Sequence, residues 1–455
     1  MRAAERVVLH GAPVDFRTLC ERAVPTDTRF IVLDLDRTVH LGRNMGELLG
    51  WELGALNAYG REALDALEPT RPRGRLLLSW KHPVGLARYT VDGVRNWAVP
   101  GLTYFFWGKL ASTADTLRHR SFLRFGPEPV RNVQRIPQTA LLALLSAVPV
   151  ETLTQLARTV WQRHAPEQVI TRDDVAWLRA RCPGVKVILS SASPEPMVRV
   201  AAEELGVDDF AASGCGSHEG FLEAPLEGAR GVPRRLAPKS RVTINAGVAK
   251  IEDLARRHPE ALAPGARSVG ITDTGYGEDH AWADHFERVI DVNSDSPFLP
   301  IVRADSPLVE IHSATVLTQQ ERASGALDRR RKQVTSGPPR ALSADEIAAK
   351  VTPFAEQAEA LARAYEEADR RVGRERDELH GAVGELSREV DAAVAAYNSA
   401  APDAQRLLLA ALSPLRAAEA ALVARIRVVE RPLSEIAFAL KRTLEGAREA
   451  LVATA

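Results

Sequence analysis

The amino-acid sequence predicts an α/β protein. We expect a parallel, Rossmann-like sheet with a helical insertion after its first strand, followed by a C-terminal α-helical coiled-coil hairpin. Short apolar runs alternate with helical patterns up to about residue 315, for example at residues 30–33, 185–189 and 268–271. Unbroken runs of this length are typical of strands buried on both faces of a parallel sheet, and the alternation indicates α/β order. Beyond residue 343 the composition shifts to Ala, Glu, Arg and Leu, which is typical of long helices.

The composition excludes several classes of protein. The chain has 455 residues, of which 45% are hydrophobic and 26% charged, which predicts two or three folded units and not a disordered chain. Lys and Arg together number 59, as do Asp and Glu, so we expect no nucleic-acid partner. The three cysteines lack metal-ligand spacing and fit a reduced, cytoplasmic protein. The first residues do not resemble a signal peptide, and no run of about 18 uncharged apolar residues predicts a transmembrane segment.

Changes of composition divide the chain into parts. One segment after the first strand interrupts the alternation and holds most of the tryptophans, and a later one is basic and rich in Gly and Pro, as exposed linkers are. The predicted parts are an N-terminal extension (1–28), a core (29–38 and 166–315), an inserted helical subdomain (39–165), a linker (316–342) and a helical hairpin (343–455).

The C-terminal part carries two heptad seams with a break at residues 401–403. Apolar steps of four and three predict helices that pack along one face, and Pro432 predicts a kink or a third helix. The arms are nearly equal in length, so we expect an antiparallel hairpin that forms a homodimer or docks a protein partner. The seam positions are Ile347, Val351, Phe354, Ala358, Leu361, Tyr365, Ala368, Val372, Leu379, Val383, Leu386, Val390, Tyr397, Leu408, Leu412, Leu415, Leu422, Ile426, Val429, Leu433, Ile436, Leu440, Leu444 and Leu451.

Two carboxylates follow the first predicted strand directly. Asp34 and Asp36 stand at positions i and i+2 in a segment that ends at Thr38. The carboxyl ends of parallel strands are where α/β sheets bind ligands. One such carboxylate can attack phosphorus while the other transfers a proton, and together they can hold Mg²⁺. Because similar triplets also cap helices and fill turns, the pair alone does not decide between chemistry and structure.

Hydroxyls, a lysine and a further carboxylate follow later in the chain. Ser191 lies in a run of small hydroxyl residues between a strand and a helix, where free backbone amides favour an anion. Lys250 opens a predicted helix, and Lys239, in a loop-like context, is the alternative lysine. A third predicted strand leads to Asp273, which adds an oxygen ligand for a metal.

Together these residues resemble the four motifs of the haloacid dehalogenase (HAD) superfamily. The match is closest to its phosphoserine-phosphatase-like branch, whose second motif is similar to residues 187–207. The resemblance covers residues 29–300, and the insertion at 39–165 lies where that branch has its helical cap. It implies a hydrolase with an aspartyl-phosphate intermediate and Mg²⁺ as cofactor.

The resemblance implies a role for each matching residue. Asp34 is the expected nucleophile, and Asp36 the expected acid that protonates the leaving oxygen and later activates water. Thr38, Ser191 and Lys250 are the expected ligands of the phosphoryl oxygens. The expected ligands of Mg²⁺ are Asp34, Asp36 through its backbone carbonyl, Asp273 and Glu278.

The sequence departs from the family pattern at three points. Thr272 stands where the family usually has Gly before the fourth-motif Asp. Arg37 replaces a common Gly in the first motif, at a position that usually tolerates change. The second acid of the fourth motif is Glu278, preferred on spacing, or Asp279 one residue later.

The predicted function is a Mg²⁺-dependent phosphomonoester hydrolase acting on a small-molecule or lipid-like phosphate ester. The densest aromatic cluster, at residues 104–107, either fills the core of the inserted subdomain or lines a pocket. His40 follows the first motif and is interpreted as structural, because Asp36 already supplies the expected base. The alternatives are a phosphotransferase with an acceptor other than water, and a non-catalytic scaffold whose hairpin recruits a partner.

Overall fold

The computed structural model describes most of the chain. The described residues are 2–60, 138–139, 141–225, 239–240, 242–275, 279–294, 297–298, 300–329, 331, 335 and 337–452. The aromatic cluster at 104–107 and Glu278 therefore lie outside the described residues.

The centre of the structure is an eight-stranded sheet that is parallel except at one edge, as the sequence predicts. The strands, numbered along the chain, are β1 (Arg2–Ala3), β2 (Arg6–Val14), β3 (Phe30–Leu33), β4 (Lys186–Pro194), β5 (Asp209–Ser213), β6 (Ser217–His218), β7 (Phe221–Leu222), β8 (Ala224–Pro225), β9 (Lys239–Ser240), β10 (Ser268–Thr272), β11 (Arg288–Val292), β12 (Ile301–Val302), β13 (Glu310–Val316) and β14 (Arg340–Leu342). The order in the main sheet is β14–β2–β13–β11–β10–β3–β4–β5. Within this sheet only β14 is antiparallel to its neighbour, and the strands outside it form short two-stranded pairs.

The register of the three central strands brings the predicted motifs to one edge. β3 pairs in parallel with β4 and with β10, and Leu33 lies opposite both Leu189 and Ile271. The chain leaves β3 towards β4 and β5 and returns on the other side of β3 through β10, so the strand order reverses there. Such a switch point opens a ligand crevice beyond the carboxyl ends of the strands. Asp34 and Asp273, which follow β3 and β10, lie at this edge.

Helices cover both faces of the sheet. The helices of the described residues are α1 (Phe16–Ala23), α2 (Met45–Tyr59), α3 (Val150–Arg163), α4 (Arg172–Arg181), α5 (Glu195–Leu205), α6 (Val248–Arg257), α7 (Gln319–Ser324), α8 (Ala344–Ser399), α9 (Pro402–Val429) and α10 (Arg431–Val452). Ile31 and Leu33 of β3 belong to the apolar core that includes α1 to α5. Phe30 and Val32 belong to the core that includes α6, α8 and α10. The apolar run of β3 is therefore buried on both faces, as predicted.

Segments expected outside the core contribute strands to the sheet. β2, from the predicted N-terminal extension, pairs in parallel with β13, with Val7 opposite Ile311. β14, from the predicted linker, pairs with β2, with Leu342 opposite Val7. Arg331, in the run expected to be exposed, is buried in an ion pair with Glu321. A strand of three residues carries too little pattern for the sequence to predict it.

The described ends of the inserted subdomain are α2 and α3, which pack against each other. Asn44 caps α2, and its side chain accepts a hydrogen bond from the backbone N–H of Glu47 at 3.0 Å. Glu52 of α2 and Arg163 of α3 form a buried ion pair. The start and the end of the insertion are therefore held together at its base.

The C-terminal part is an antiparallel helical hairpin, as predicted. α8 begins with a capping box between Ser343 and Glu346, and α9 and α10 pack back along it. A new helix begins at Arg431, beside Pro432, in agreement with one of the two predicted effects of that proline. The predicted seam positions that are buried are Ile347, Val351, Ala358, Ala368, Leu379, Val390, Tyr397, Leu412, Ile426, Leu433, Leu440, Leu444 and Leu451.

The base of the hairpin belongs to the core of the protein. Ile347 and Val351 of α8 and Leu444 of α10 lie in the same apolar cluster as Val7 and Ile311 of the sheet. Removal of the whole hairpin would expose this face of the sheet to water.

One helix of the described part of the chain is long and apolar enough to cross a membrane by length and composition. Within Asp403–Val429 of α9, an 18-residue window has a mean hydropathy of 1.6, and 6% of it is buried. The prediction of no transmembrane segment was based on the absence of an uncharged apolar window, and this window carries two charged residues. α9 also packs on α8 through Leu412, as the return arm of a hairpin does.

Candidate active site

Three strands and one helix bring four of the predicted site residues to the switch point. Asp34 follows β3, Ser191 lies in β4, Asp273 follows β10 and Lys250 lies in the first turn of α6. All four side chains are buried. The backbone N–H of Asp34 donates to the carbonyl of Ile271 at 2.9 Å, so the first and fourth motifs lie on directly paired strands.

Lys250 connects two carboxylates at the centre of the site. Its Nζ lies 2.7 Å from Oδ1 of Asp34 and 2.8 Å from Oδ1 of Asp279. The same ammonium lies 5.4 Å from the ring centroid of Trp282, within cation–π range. Lys250 is 2% exposed, so solvent screens these interactions little. The buried cation lies where it can hold an anionic oxygen that approaches Asp34.

Asp279 is held in place by two threonines. The hydroxyls of Thr272 and Thr274 both donate to Oδ2 of Asp279, the second at 3.2 Å. Thr272 stands where the HAD motif usually has Gly. In this chain its hydroxyl orients the carboxylate of Asp279. Asp279, one of the two candidate acids of the fourth motif, lies in the site and forms an ion pair with Lys250. The other candidate, Glu278, lies outside the described residues.

Asp36 is held by the start of α2 and by β4. Its Oδ1 accepts the backbone N–H of Met45 at 2.6 Å, and its Oδ2 accepts the hydroxyl of Ser193 at 2.6 Å. The hydroxyl of Ser191 is 3.5 Å from the same Oδ2. These donors fix the orientation of the carboxyl group beside the base of the inserted subdomain.

The hydroxyl groups of the site are buried and ordered. Oγ of Ser191 accepts the backbone N–H of Ser193 at 3.1 Å. The side chain of Asn245 donates to the carbonyl of Ser191 at 3.1 Å and to Oγ of Ser190 at 3.2 Å. The hydroxyl of Thr38 is buried and has no hydrogen-bond partner among the described residues. A buried hydroxyl without a partner, two residues after Asp36, suits a ligand with acceptor oxygens.

Sequence reasoning missed Ser193 and Asn245 as parts of the site. Ser193 stands two residues after Ser191, and this spacing places both side chains on the same side of a strand. The spacing alone could therefore have indicated Ser193 as a neighbour of Ser191 in the site. Asn245 lies 54 residues from Ser191 in sequence, and its role depends on the tertiary structure.

Arg37 adopts a backbone conformation that favours glycine. Its φ is +65°, in the left-handed region, where a side chain costs about 1 kcal/mol or more. Its Nε lies 3.6 Å from Oδ2 of Asp273. The backbone here is therefore strained for any residue with a Cβ, and the arginine adds an ion pair to a predicted metal ligand.

Burial dominates the electrostatics of both first-motif carboxyls. It raises the pKa of Asp34 well above its usual range; Lys250 opposes the rise, and the carboxylates of Asp279 and Asp36 add to it. Burial also raises the pKa of Asp36, while the hydrogen bonds from Ser193 and Met45 oppose the rise. The site therefore favours a bound cation or bound protons.

The donor set fits Mg²⁺. The carboxyl groups that meet here outnumber the lysine and arginine described above, and they belong to Asp34, Asp36, Asp273 and Asp279. Buried carboxylates without enough positive charge are costly, and oxygen-only ligands are what Mg²⁺ prefers. Asp34, Asp273 and the backbone carbonyl of Asp36 are the groups that would hold the ion.

Comparison with known proteins gives similarity only at the level of solved structures. No family model and no curated protein matches the chain. A HAD family hydrolase from Salmonella enterica subsp. enterica serovar Typhi is 12% identical, with a TM-score of 0.33, over 61% of this chain and 70% of that one. A substrate-bound phosphoserine phosphatase is 13% identical, with a TM-score of 0.33, over 66% and 99%. A probable phosphoserine phosphatase from Vibrio cholerae is 13% identical, with a TM-score of 0.34, over 69% and 74%. These similarities alone assign no reaction.

Proposed function

We propose that the chain is a Mg²⁺-dependent phosphomonoester hydrolase that forms an aspartyl-phosphate on Asp34. The observation that carries the proposal is the buried Lys250, which links Asp34 to Asp279 at the switch point of the sheet. A transferring phosphoryl group spreads negative charge over its equatorial oxygens, and a preorganised cation there stabilises the transition state.

In the first step, an oxygen of Asp34 attacks phosphorus and the bond to the leaving oxygen breaks. Asp36 donates its proton to that oxygen. The raised pKa of Asp36 supports this role, because a buried carboxyl keeps its proton to higher pH. Lys250 and the hydroxyls of Thr38 and Ser191 hold the phosphoryl oxygens.

In the second step, the ionised Asp36 takes a proton from a water molecule that attacks the aspartyl-phosphate. Inorganic phosphate leaves and the carboxylate of Asp34 is regenerated. Bound Mg²⁺ supplies further positive charge to the phosphoryl oxygens.

Hydrolysis of p-nitrophenyl phosphate with and without Mg²⁺ tests the proposal. We expect turnover that requires Mg²⁺ and that is abolished in Asp34→Asn, because an amide cannot form the acyl phosphate. Asp173→Asn, an isosteric change of an exposed acid in α4, is the matched control and should keep wild-type activity. Wild-type turnover by a folded Asp34→Asn variant would overturn the proposal.

The site residues argue for a phosphate monoester, and the substrate class proposed is the one that the sequence predicts. Small-molecule and lipid-like phosphate esters are the proposed substrates, in the cytoplasm, where buried free cysteines such as Cys20 and Cys182 stay reduced. A screen of phosphorylated metabolites that includes prenyl and lipid phosphates identifies the substrate.

A non-catalytic scaffold is the alternative that one observation favours. Arg37 lies against Asp273, so the chain itself supplies a positive charge to a predicted metal ligand. In that case the wild-type chain would bind phosphate esters without hydrolysing them, and the same assay distinguishes the two.

A further inference from the structure

A second cluster of metal-ligating side chains lies at the base of the inserted subdomain. His40 follows the first motif, His164 is the C-cap of α3, and Glu167 ends a short 3-10 turn, Ala165–Glu167. Oε2 of Glu167 lies 3.4 Å from Nε2 of His40 and 3.2 Å from Nδ1 of His164. One candidate ligand atom from each residue lies within 4.8 Å of the other two. None of the three has a part in the proposed hydrolysis.

These distances match the edges of a zinc coordination tetrahedron. With Zn–N and Zn–O bonds of about 2.0–2.1 Å, neighbouring ligand atoms are roughly 3.3–3.4 Å apart. Two imidazoles and one carboxylate are a common zinc ligand set, which leaves the fourth position to water. Glu167 is 44% exposed, so solvent reaches that side of the cluster.

The backbone around the cluster is fixed from both sides. The N–H of Leu41 donates to the carbonyl of Glu167 at 3.0 Å, and the N–H of Val169 donates to the carbonyl of Val39 at 2.8 Å. A Cβ on Gly42 would lie 2.2 Å from Oε2 of Glu167. It would also lie 2.5 Å from Cε1 of the His40 ring, so only glycine leaves room for the two ligand side chains to meet.

We propose that His40, His164 and Glu167 form a zinc site that ties the first-motif loop to the base of the inserted subdomain. The carbonyl of His40 accepts the N–H of Arg37 at 2.7 Å, so a metal on His40 restrains the loop that carries Asp36. Whether Zn²⁺ binds here does not depend on the Mg²⁺ site or on the proposed hydrolase activity being correct.

Binding requires a change of tautomer at His40. In the structure its Nε2 lies 3.1 Å from the carbonyl oxygen of His164, and the proton of that hydrogen bond must move to Nδ1 when Nε2 binds a metal. Nδ1 is buried and has no partner among the described residues, which lowers the zinc affinity. Burial lowers the pKa of His40 to about 4, so the imidazole is neutral near pH 7, as a metal ligand must be.

Zinc titration of the full-length chain after EDTA treatment tests the site. Isothermal titration calorimetry should show one equivalent of Zn²⁺ that millimolar Mg²⁺ does not displace, and Zn²⁺ should raise the Tm. Glu167→Gln and His164→Ala change partly exposed residues and should each weaken Zn²⁺ binding by at least about tenfold. Both should also lose the rise in Tm.

The matched control is His258→Ala. His258 also has two carboxylate neighbours, but its Nε2 lies 2.8 Å from Asp209 while Nδ1 lies 3.6 Å from Glu260, so its ring nitrogens face different partners. This variant and Asp34→Asn should bind Zn²⁺ as wild type does, which separates the zinc site from the hydrolase proposal. Absence of a stoichiometric Zn²⁺ site in the wild type would overturn the proposal. So would wild-type affinity in Glu167→Gln and His164→Ala.

Discussion

Nζ of Lys250 lies 2.7 Å from Oδ1 of Asp34, although 216 positions separate the two residues in sequence. The ion pair is buried and shared with Asp279, so three charges meet where solvent screens them little. Through these two contacts Lys250 connects the segments that follow β3 and β10.

Lys250→Met should abolish activity and destabilise the fold. Loss of the ammonium leaves Asp34 and Asp279 as buried carboxylates without their shared cation, at a cost of about 3–5 kcal/mol. Urea denaturation and p-nitrophenyl phosphate turnover measure the two effects. Lys186→Met, which removes an exposed pair with Glu260, should change stability by less than about 1 kcal/mol. Equal losses in both variants would contradict this account.

Arg37→Gly should tighten Mg²⁺ binding several-fold and change the stability of the metal-free chain little, because relief of the positive φ is offset by loss of the ion pair with Asp273. The change removes a side chain from a backbone with φ of +65° and removes the guanidinium from Asp273. Calorimetric titration with Mg²⁺ and thermal denaturation measure both effects. Arg267→Gly is the matched control, because Arg267 also has a positive φ, of +54°, but pairs with the exposed Asp27. The Mg²⁺ affinity of Arg267→Gly should stay at the wild-type value. A similar rise in affinity in this variant would contradict the role given to the guanidinium at Asp273.

Stability should fall as the pH decreases from about 7 to 4. Burial and the neighbouring His312 lower the pKa of His10 from 6.5 to about 4. Between these pH values His10 is protonated in the unfolded chain and neutral in the folded chain. The contribution of neutral His10 to the free energy of unfolding is complete above pH 6.5. It is lost as the pH falls from 6.5 to about 4, by about 3 kcal/mol at most. Urea denaturation at several pH values should show a shallower decline for His10→Gln. His218→Gln, at an exposed position, should follow the wild type; parallel curves for all three proteins would refute the prediction.

The tip of the hairpin should be dispensable for activity. Replacing residues 373–429 by a short Gly/Ser turn keeps the base, where Phe354 contacts Gly446 and Ile347 lies in the core. We expect turnover within several-fold of the full-length chain, because every candidate chemical residue precedes residue 280.

The same excision tests whether the tip mediates association. Leu407 is 76% and Val428 68% exposed on α9, so we expect the full-length chain to be a homodimer and the shortened chain a monomer in light scattering. A monomeric full-length chain would exclude the homodimer and leave a docked partner as the role of this face.

Much of the fold was predictable because its patterns are local. The uninterrupted apolar run at residues 30–33 predicted a strand covered on both faces. The heptad spacing predicted the hairpin and about half of its seam positions as fully buried, while the other seam positions are half-buried. The short strand β14 and the membership of β2 in the main sheet were not predicted, since both strands pair with neighbours that are distant in sequence: β2 with β13, and β14 with β2.

The sequence by itself determined the α/β order, the hairpin and the residue types available at each strand end. It could not decide which acid approaches Lys250, that Ser193 holds Asp36, or that His40 meets Glu167. Those contacts depend on strand register and on the packing of elements that are far apart in the chain. The physical reason is that the periodicity of a sequence indicates which side chains of a helix or strand are buried. Which residues those side chains contact is decided only when the helices and strands pack together.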